Sequence, residues 1–275
     1  VGLVARSPKT GQTTLLVGFS DIDGTLNNEH VAESHRIHTI GPAAEAVREL
    51  QSYGIPVGIC TARAHGEAEV YARAVGASGV IIAENGASTT YPGGESVTIG
   101  DMRDIRECVA AIEERIGRPI VSTLRQCAAR SAGHATPKEF YNNDLGHDSR
   151  EALRMSASRV ASAYLSGLTP DERLVAIAVA ESRGFKPFGD LLHLISRRAD
   201  KGVALEALCE RLQGETVALT SGRCAGASVR IDRVAPIVFG NGENDLPLFG
   251  SAIERGGGPQ DFILIFARML RTRRR

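Results

Sequence analysis

The sequence predicts an α/β protein, a parallel-sheet core interrupted by an inserted segment of mixed α+β character. Three observations carry this expectation. Short apolar runs alternate with amphipathic helical stretches three times between Leu15 and Ser88, the rhythm of a parallel sheet with helices on its faces. The rhythm lapses from Ser88 to Ile195 and resumes with "DKGVALEALCERL" and "APIVFGNGENDLPLF". Four apolar runs end in polar residues (Asp21 and Asp23, Thr61, Asn85, and Asn241 to Asp245), and open parallel sheets bind ligands beyond the carboxyl ends of their strands. The expected division is a core of residues 15–87 and 196–275 and an insert of 88–195.

Leu15 to Ser20 reads as a buried strand closed by an Asp-Gly turn. "GPAAEAVRELQSYG" spaces Ala, Val and Leu helically, opens after Gly41-Pro42 and closes at Gly54. "IPVGICTAR" is a second strand, "GEAEVYARAVGA" a helix, and "GVIIAENGAS" a third strand with a polar turn. In the insert, "TTYPGGESVTIGD" reads as a hairpin or extended piece. Helical stretches follow near Met102–Ile116 and Asp148–Ala163, and "PDERLVAIAVAESRG" continues in the same style. The turn formers of "SAGHATPKEFYNNDLGHDS" predict a loop, and "FKPFGDLLHLI" one strand or a strand pair. Residues 214–233, "GETVALTSGRCAGASVRIDR", are longer than a usual connection and suit an extra strand pair or an irregular loop. The basic tail "ARMLRTRRR" reads as a solvated terminus.

Composition excludes several classes. Of 275 residues, 43% are hydrophobic and 23% charged, with a formal net charge of zero and no Trp. Nothing global therefore points to nucleic acid or to an acidic membrane surface. The five cysteines are scattered without CxxC spacing, which argues against a zinc site or disulfide framework and for a reducing cytoplasm. The leader lacks an apolar signal core, and no apolar run is long enough for a bilayer. The seven histidines form no HxxxH or HExxH pair.

The chemistry concentrates at the strand ends. Asp21 and Asp23 flank Ile22, so an extended backbone would present both carboxylates on one face, with Gly24 turning the chain. One carboxylate can attack phosphorus to form an aspartyl-phosphate while the other moves protons. A close carboxylate pair also attracts a hard cation such as Mg²⁺. Thr61 offers a hydroxyl and a backbone N–H to a phosphoryl oxygen. Lys201 opens a helix, where the dipole disfavours a cation, which suits either recruitment to an anion or an exposed structural lysine. Asn241, Glu243, Asn244 and Asp245 lie on a tight turn that suits a metal rim.

"DIDGTL", "CTAR", "DKG" and "GNGENDLPLF" resemble, in order, the four motifs of the haloacid dehalogenase (HAD) superfamily of phosphotransferases. The resemblance covers residues 15–87 and 196–255, and the insert resembles the superfamily's type-2 caps. It implies a Rossmann-like parallel-sheet core with an inserted α+β cap. "CTARAHGEAEVYARAVG", "IIAENGAST" and "GFKPFGDLLHLI…ADKG" are similar to the branch that contains mannosyl-3-phosphoglycerate phosphatase. By resemblance, Asp21 is the nucleophile, Asp23 the general acid and then base, Thr61 a phosphoryl-oxygen ligand and Lys201 the neutralising cation. The resemblance also implies Mg²⁺ held by Asp21, the Asp23 carbonyl and the fourth motif, Asn241 and Asp245. Arg159, Ser162 and His193 are the matching cap candidates for substrate binding.

The chain departs from the family pattern where Gly240-Asn241 replaces Gly-Asp, where "SRVASAYLSG" keeps only Arg159 and Ser162 of the cap motif, and where "FGDLLHL" has Asp190 and Leu191 in place of Arg-Phe. The implied activity is Mg²⁺-dependent hydrolysis of a small phosphorylated sugar, most specifically mannosyl-3-phosphoglycerate. A phosphosugar mutase of the same fold and a catalytically weak sugar-phosphate-binding protein are the alternatives.

Overall fold

The computed structural model describes residues 4–6, 11–28, 30, 36–123, 159–189, 192–218 and 228–256. The expected loop 131–149, residues 148–158 of an expected helix, Asp190, Leu191, Cys127, Cys224 and the basic tail lie outside the described residues.

The central sheet holds seven strands among the described residues. They are β1 (Val4–Arg6), β2 (Thr13–Ser20), β3 (Val57–Cys60), β4 (Ile81–Ala83), β5 (Ser88–Thr90), β6 (Ser96–Thr98) and a late strand, Arg233–Phe239. The late strand, β2, β3 and β4 run parallel, and β1, β5 and β6 add antiparallel edges. In register, Phe239 lies opposite Ser20, Ser20 opposite Ile59, and Cys60 opposite Ile82. The four parallel strands therefore finish together, and their following loops open on one edge.

Helices cover both faces, and alternation along the strands decides which residue meets which helix. Leu15, Val17, Phe19, Cys60, Ile82, Val234 and Val238 pack with Leu205, Leu208, Leu248 and Ala252. Val57, Ile59 and Ala83 pack on the opposite side with Ala44, Val47, Ala68, Tyr71 and Val75. The second group comes from α1 (Gly41–Ser52), begun by Pro42 in its first turn, and α2 (His65–Val75), stopped by Gly76 at φ 74°. The sheet buried on both faces explains why its strands read as continuous apolar runs.

The insert forms a four-stranded antiparallel sheet of β7 (Val121–Ser122), β8 (Ser162–Ser166), β9 (Phe185–Phe188) and β10 (Leu192–Ser196), in the order β7-β8-β10-β9. Two helices, α3 (Met102–Ile116) and α4 (Pro170–Ser182), share a core with it built on Ile105, Cys108, Ile112, Leu165, Ala176, Leu192 and Leu194. Asp101 caps α3, and Thr169 with Glu172 forms a capping box on α4. The hairpin expected in "TTYPGGESVTIGD" is β5–β6, and it pairs with β4. By hydrogen bonding it thus belongs to the central sheet, although the expected division at 87/88 places it with the insert.

"FKPFGDLLHLI" is a strand pair, β9 and β10. The helix expected over Asp148–Ala163 does not extend to Ala163: Ser162–Ser166 is a strand, laddered between Val121–Ser122 and Leu192–Ser196. Cross-strand pairing and burial of Ala163 and Leu165 outweigh the local helical composition. Two helices, α5 (Lys201–Leu212) and α6 (Leu246–Gly256), complete the core. The long connection carries a strand pair, β11 (Thr216–Ala218) and β12 (Ser228–Arg230), with residues 219–227 outside the described set. The late strand Arg233–Phe239 is β13.

Among the described residues no helix is long and apolar enough to cross a membrane, and Cys60, Cys108 and Cys209 are buried free thiols. Ile59, fully buried on a central strand, tests the two-sided core: Ile59→Ala should destabilise the protein by about 2–5 kcal/mol, read from the urea midpoint.

Candidate active site

β2, β3, β4 and β13 each deliver a loop to the same edge, and a buried cation links the loops after β2 and β13. Lys201, fully buried at the first position of α5, donates to Asp21 Oδ1 at 3.0 Å and to Asp245 Oδ1 at 2.6 Å. Asp200 caps the helix by accepting from Val203 N–H, so the lysine is held at a helix start by its partners against the helix dipole. Asp245 Oδ2 accepts the backbone N–H groups of Asn241 and Gly242. One carboxylate thus holds both the lysine and the loop after β13.

Backbone without side chains makes the approach possible. A Cβ on Gly240 would stand 2.5 Å from the Asp245 carboxyl group, and one on Gly86, at φ 91°, only 2.1 Å from the Asp200 carbonyl oxygen. Glycine at these positions lets the loops after β13 and β4 close against the lysine.

Two carboxylates around one ammonium leave a buried excess of negative charge. Burial pushes Asp21 upward, Lys201 opposes that, and Asp245 adds to it, so its pKa rises to about 6. Lys201 is pulled down by burial, but its carboxylate partners outweigh this and hold it charged, above its ordinary range. Such a cluster is completed by further positive charge.

Asp23 stands apart from this group. The carbonyl of Ile22 accepts N–H groups from Thr25, Leu26 and Asn27, which coils the chain directly after Asp21. The backbone after Asp21 is therefore a turn and not the extended segment expected, and the two carboxylates take different partners. The Asp23 carboxylate pairs with Arg63 in two hydrogen bonds, at 2.7 and 2.8 Å, and with Arg36 at 3.2 Å. Burial raises its pKa, but Arg63, Asn27 and Arg36 outweigh burial and leave it lowered. Among the described residues no group of three or more His, Cys, Asp or Glu is gathered to hold a metal. Asp21 and Asp245, the carboxylates of the expected ligand set, both meet Lys201, while the Asp23 carboxylate, whose backbone carbonyl is the expected ligand, meets arginines.

Thr61 is fully buried at the end of β3. Its own N–H, expected to face a phosphoryl oxygen, continues the ladder to Ile82 O at 2.8 Å. Its hydroxyl accepts from Arg63 N–H at 3.2 Å and keeps a proton to donate. Asn241 presents its side-chain oxygen to the Thr25 hydroxyl at 3.4 Å.

The insert's candidates meet the loop after β3. Arg159 donates to Ala62 O and Ser162 Oγ, and the Tyr164 hydroxyl also reaches Ala62 O. Arg159 lies over the Tyr164 ring, and His193 stacks on the same ring with centroids 4.1 Å apart. Among the described residues, Arg159 Nε and His193 Nε2 are buried without a hydrogen-bond partner. Two orphan buried donors are costly unless a ligand or water meets them. A surface cavity of about 280 Å³ lined by Asp101, Asp104, Glu107, Arg183 and Arg198 includes none of these residues.

Sequence reasoning missed Arg36, Arg63, Glu84 and Tyr164. Arg63 stood in the quoted "CTAR", where its charge beside an acidic strand end was the available signal. Arg36, Glu84 and Tyr164 carried no spacing pattern.

The family model of haloacid dehalogenase-like hydrolases matches residues 19–218. A phosphoglycolate phosphatase of Methanopyrus kandleri is 28% identical over 244 residues, 87% of this chain and 82% of that protein. A glucosyl-3-phosphoglycerate/mannosyl-3-phosphoglycerate phosphatase of Persephonella marina is 26% identical, with 70% of each chain covered. A Thermoplasma acidophilum structure shares the fold with a TM-score of 0.56 at 20% identity, over 86% of this chain and 81% of its own. A haloalkanoate-superfamily phosphatase of Bacteroides thetaiotaomicron does so at 0.54 and 18%, over 91% and 85%.

Two measurements check the electrostatics. Asp245→Asn should cost about 3 kcal/mol of stability in urea, because it leaves Lys201 short of a buried partner. His193 is buried and held well below its ordinary pKa of 6.5, first by burial and then by Arg159. The unfolded chain therefore binds the proton more readily. The stability His193 contributes is full above about pH 6.5 and falls by up to about 1.4 kcal/mol per pH unit below it. His193→Gln should flatten that part of the stability profile between about pH 7 and about pH 5.

Proposed function

The chain belongs to the haloacid dehalogenase-like hydrolases, as a phosphatase, and from that premise we propose that it hydrolyses a small phosphorylated sugar derivative through an aspartyl-phosphate. The observation that carries this is the fully buried Lys201 bridging Asp21 and Asp245 at the shared strand edge. A buried ammonium hydrogen-bonded to a carboxylate suits a nucleophile that must approach a dianionic phosphate without repelling it.

In this reading the Asp21 carboxylate forms a bond to phosphorus while the bond to the leaving alcohol oxygen breaks, and Asp23 donates the proton that oxygen needs. Asp23 then takes a proton from water, which attacks phosphorus and frees Asp21 and inorganic phosphate. The acid role requires a protonated Asp23, so its pairs with Arg63 and Arg36 loosen in the reacting complex. Thr61 donates its hydroxyl proton to a phosphoryl oxygen, and Lys201 balances the charge of nucleophile and phosphate.

The donor set fits Mg²⁺, a hard cation that takes one or two carboxylates, carbonyl oxygens and waters. We assign it to the Asp21 carboxylate, the Asp23 backbone carbonyl and the Asn241 side-chain oxygen. Asp245, with both oxygens engaged by Lys201 and the loop, is assigned to holding the lysine. When bound, Mg²⁺ supplies neutralising charge to the transferring group.

For the substrate, mannosyl-3-phosphoglycerate is the leading specific case, giving mannosylglycerate and phosphate in a reducing cytoplasm. The relative from Persephonella marina supports it. Phosphoglycolate is a second reading, favoured by the longer match to the Methanopyrus kandleri protein. Both carry a phosphate ester close to a carboxylate. Arg159, Ser162 and His193 are the side chains we assign to the end of the substrate away from phosphorus.

Phosphate release from mannosyl-3-phosphoglycerate, 2-phosphoglycolate and a panel of hexose phosphates, each across a Mg²⁺ titration, tests the reading. Turnover of either carboxylated ester in preference to the hexose phosphates is the expected result, and release from none at saturating Mg²⁺ would sink it. Asp21→Asn should lower kcat by at least about a thousandfold and also remove the rise in Tm that Mg²⁺ produces, with the circular dichroism spectrum unchanged.

A further inference from the structure

Three consecutive residues after β4 have left-handed backbone: Glu84 at φ 52°, Asn85 at φ 55° and Gly86 at φ 91°. Glycine adopts this conformation freely and asparagine at modest cost, but glutamate rarely does. Gly86 is explained by its packing on Asp200. The strained conformation at Glu84 and Asn85 calls for its own explanation, since such outliers persist where the surroundings over-determine them.

The backbone of this turn is tied to the loop after β3: Glu84 N–H donates to Arg63 O and Asn85 N–H to Thr61 O, both at 2.9 Å. The two side chains face the insert, and both are buried. Glu84 Oε1 accepts Val160 N–H at 2.8 Å, while Oε2 accepts Ala161 N–H at 3.1 Å and the Ser162 hydroxyl at 2.6 Å. A fully buried carboxylate therefore receives three donors from the four-residue stretch that also carries Arg159. Asn85 takes Asn244 Nδ2 on its oxygen at 3.0 Å, and its own Nδ2 lies 3.0 Å from His193 Nδ1. Because that amide nitrogen can only donate, Nδ1 accepts, and the proton of the neutral imidazole sits on Nε2. Nε2 is the buried ring nitrogen that has no partner among the described residues.

We propose that Glu84 and Asn85 are positioning residues for substrate selection: Glu84 holds the backbone that presents Arg159 and Ser162, and Asn85 sets His193 as an Nε2–H donor. This rests on the phosphatase reading above in one respect, that these insert side chains meet the substrate. The left-handed backbone turns two adjacent side chains onto two separate parts of the insert, the segment before β8 and the middle of β10. Asn244, next to Asp245, extends the same chain of contacts to the loop after β13. The selecting side chains are thereby referenced to the loops that hold Thr61 and Lys201.

The test uses the full chain with 2-phosphoglycolate and p-nitrophenyl phosphate as probes. Nitrogen NMR of labelled histidine should show the Nε2–H tautomer at His193 in the wild type. In Asn85→Asp, where a carboxylate faces Nδ1, the proton should move to Nδ1. Val160 and Ala161 amides should be protected from exchange in the wild type and exchange faster in Glu84→Gln, whose amide must turn a donor toward a donor. Each variant should raise KM for 2-phosphoglycolate by about tenfold with kcat changed by less than about threefold.

A wild-type Nδ1–H tautomer overturns the role of Asn85. Unprotected Val160 and Ala161 amides overturn the role of Glu84. Variants that lower kcat with KM unchanged, or that change neither, overturn the assignment to substrate selection. If the wild type releases phosphate from neither probe and also from neither mannosyl-3-phosphoglycerate nor the hexose phosphates, the phosphatase reading fails by itself, while the tautomer and exchange measurements still decide the positioning roles.

Discussion

A lysine removed from water between two carboxylates is the constraint on which the rest of this structure depends. Lys201 comes from the helix after the insert, Asp21 from the end of β2 and Asp245 from the turn after β13. Taking an ammonium out of water is tolerable only if its partners are in place and their remaining lone pairs are satisfied. That requirement fixes the strand ends in register, brings Gly86 against Asp200, and makes Asp245 accept two backbone N–H groups with the oxygen that does not face the lysine. The interaction is costly to assemble and is justified by the site it creates, since an apolar residue would serve packing as well.

The charge balance of the site divides between two neighbouring groups. Around Lys201, two carboxylates outnumber one cation, and Asp21 is left easier to protonate than an ordinary aspartate. Around Asp23, two arginines outnumber one carboxylate, and protonation becomes harder. Two aspartates separated by a single residue thus have opposite tendencies, and the difference comes from the turn at Ile22, which sends their side chains to different partners. In the reading proposed above, Asp23 can carry a proton only once its pairs with Arg63 and Arg36 loosen.

The insert is joined to the core by polar contacts at the site as well as by chain connectivity. Ala62 O receives Arg159 and Tyr164, Glu84 receives the backbone before β8, and Asn85 reaches His193. Each contact starts from a loop at a carboxyl end of the central sheet. The strand-end loops therefore hold the insert's Arg159, Ser162 and His193 as well as their own residues.

The alternation of apolar runs and helical stretches determined the α/β class, because a strand covered by helices on both faces must be apolar throughout. Residue type at the strand ends also singled out Asp21, Thr61 and Asp245, since a buried sheet has few other reasons to end in such residues, and a cation at a helix start singled out Lys201. Only the tertiary structure decided the partners. That Asp245 faces Lys201, that Asp23 turns to Arg63 and Arg36, and that Ser162–Ser166 is strand and not helix all rest on groups far apart in the chain. Glu84 shows the limit most clearly: in sequence it is one more acidic residue in a turn, and its left-handed backbone and three donors exist only once the insert has folded against the core. Local patterns encode what a segment buries. Which polar group meets which is set by long-range packing, and no spacing along the chain records it.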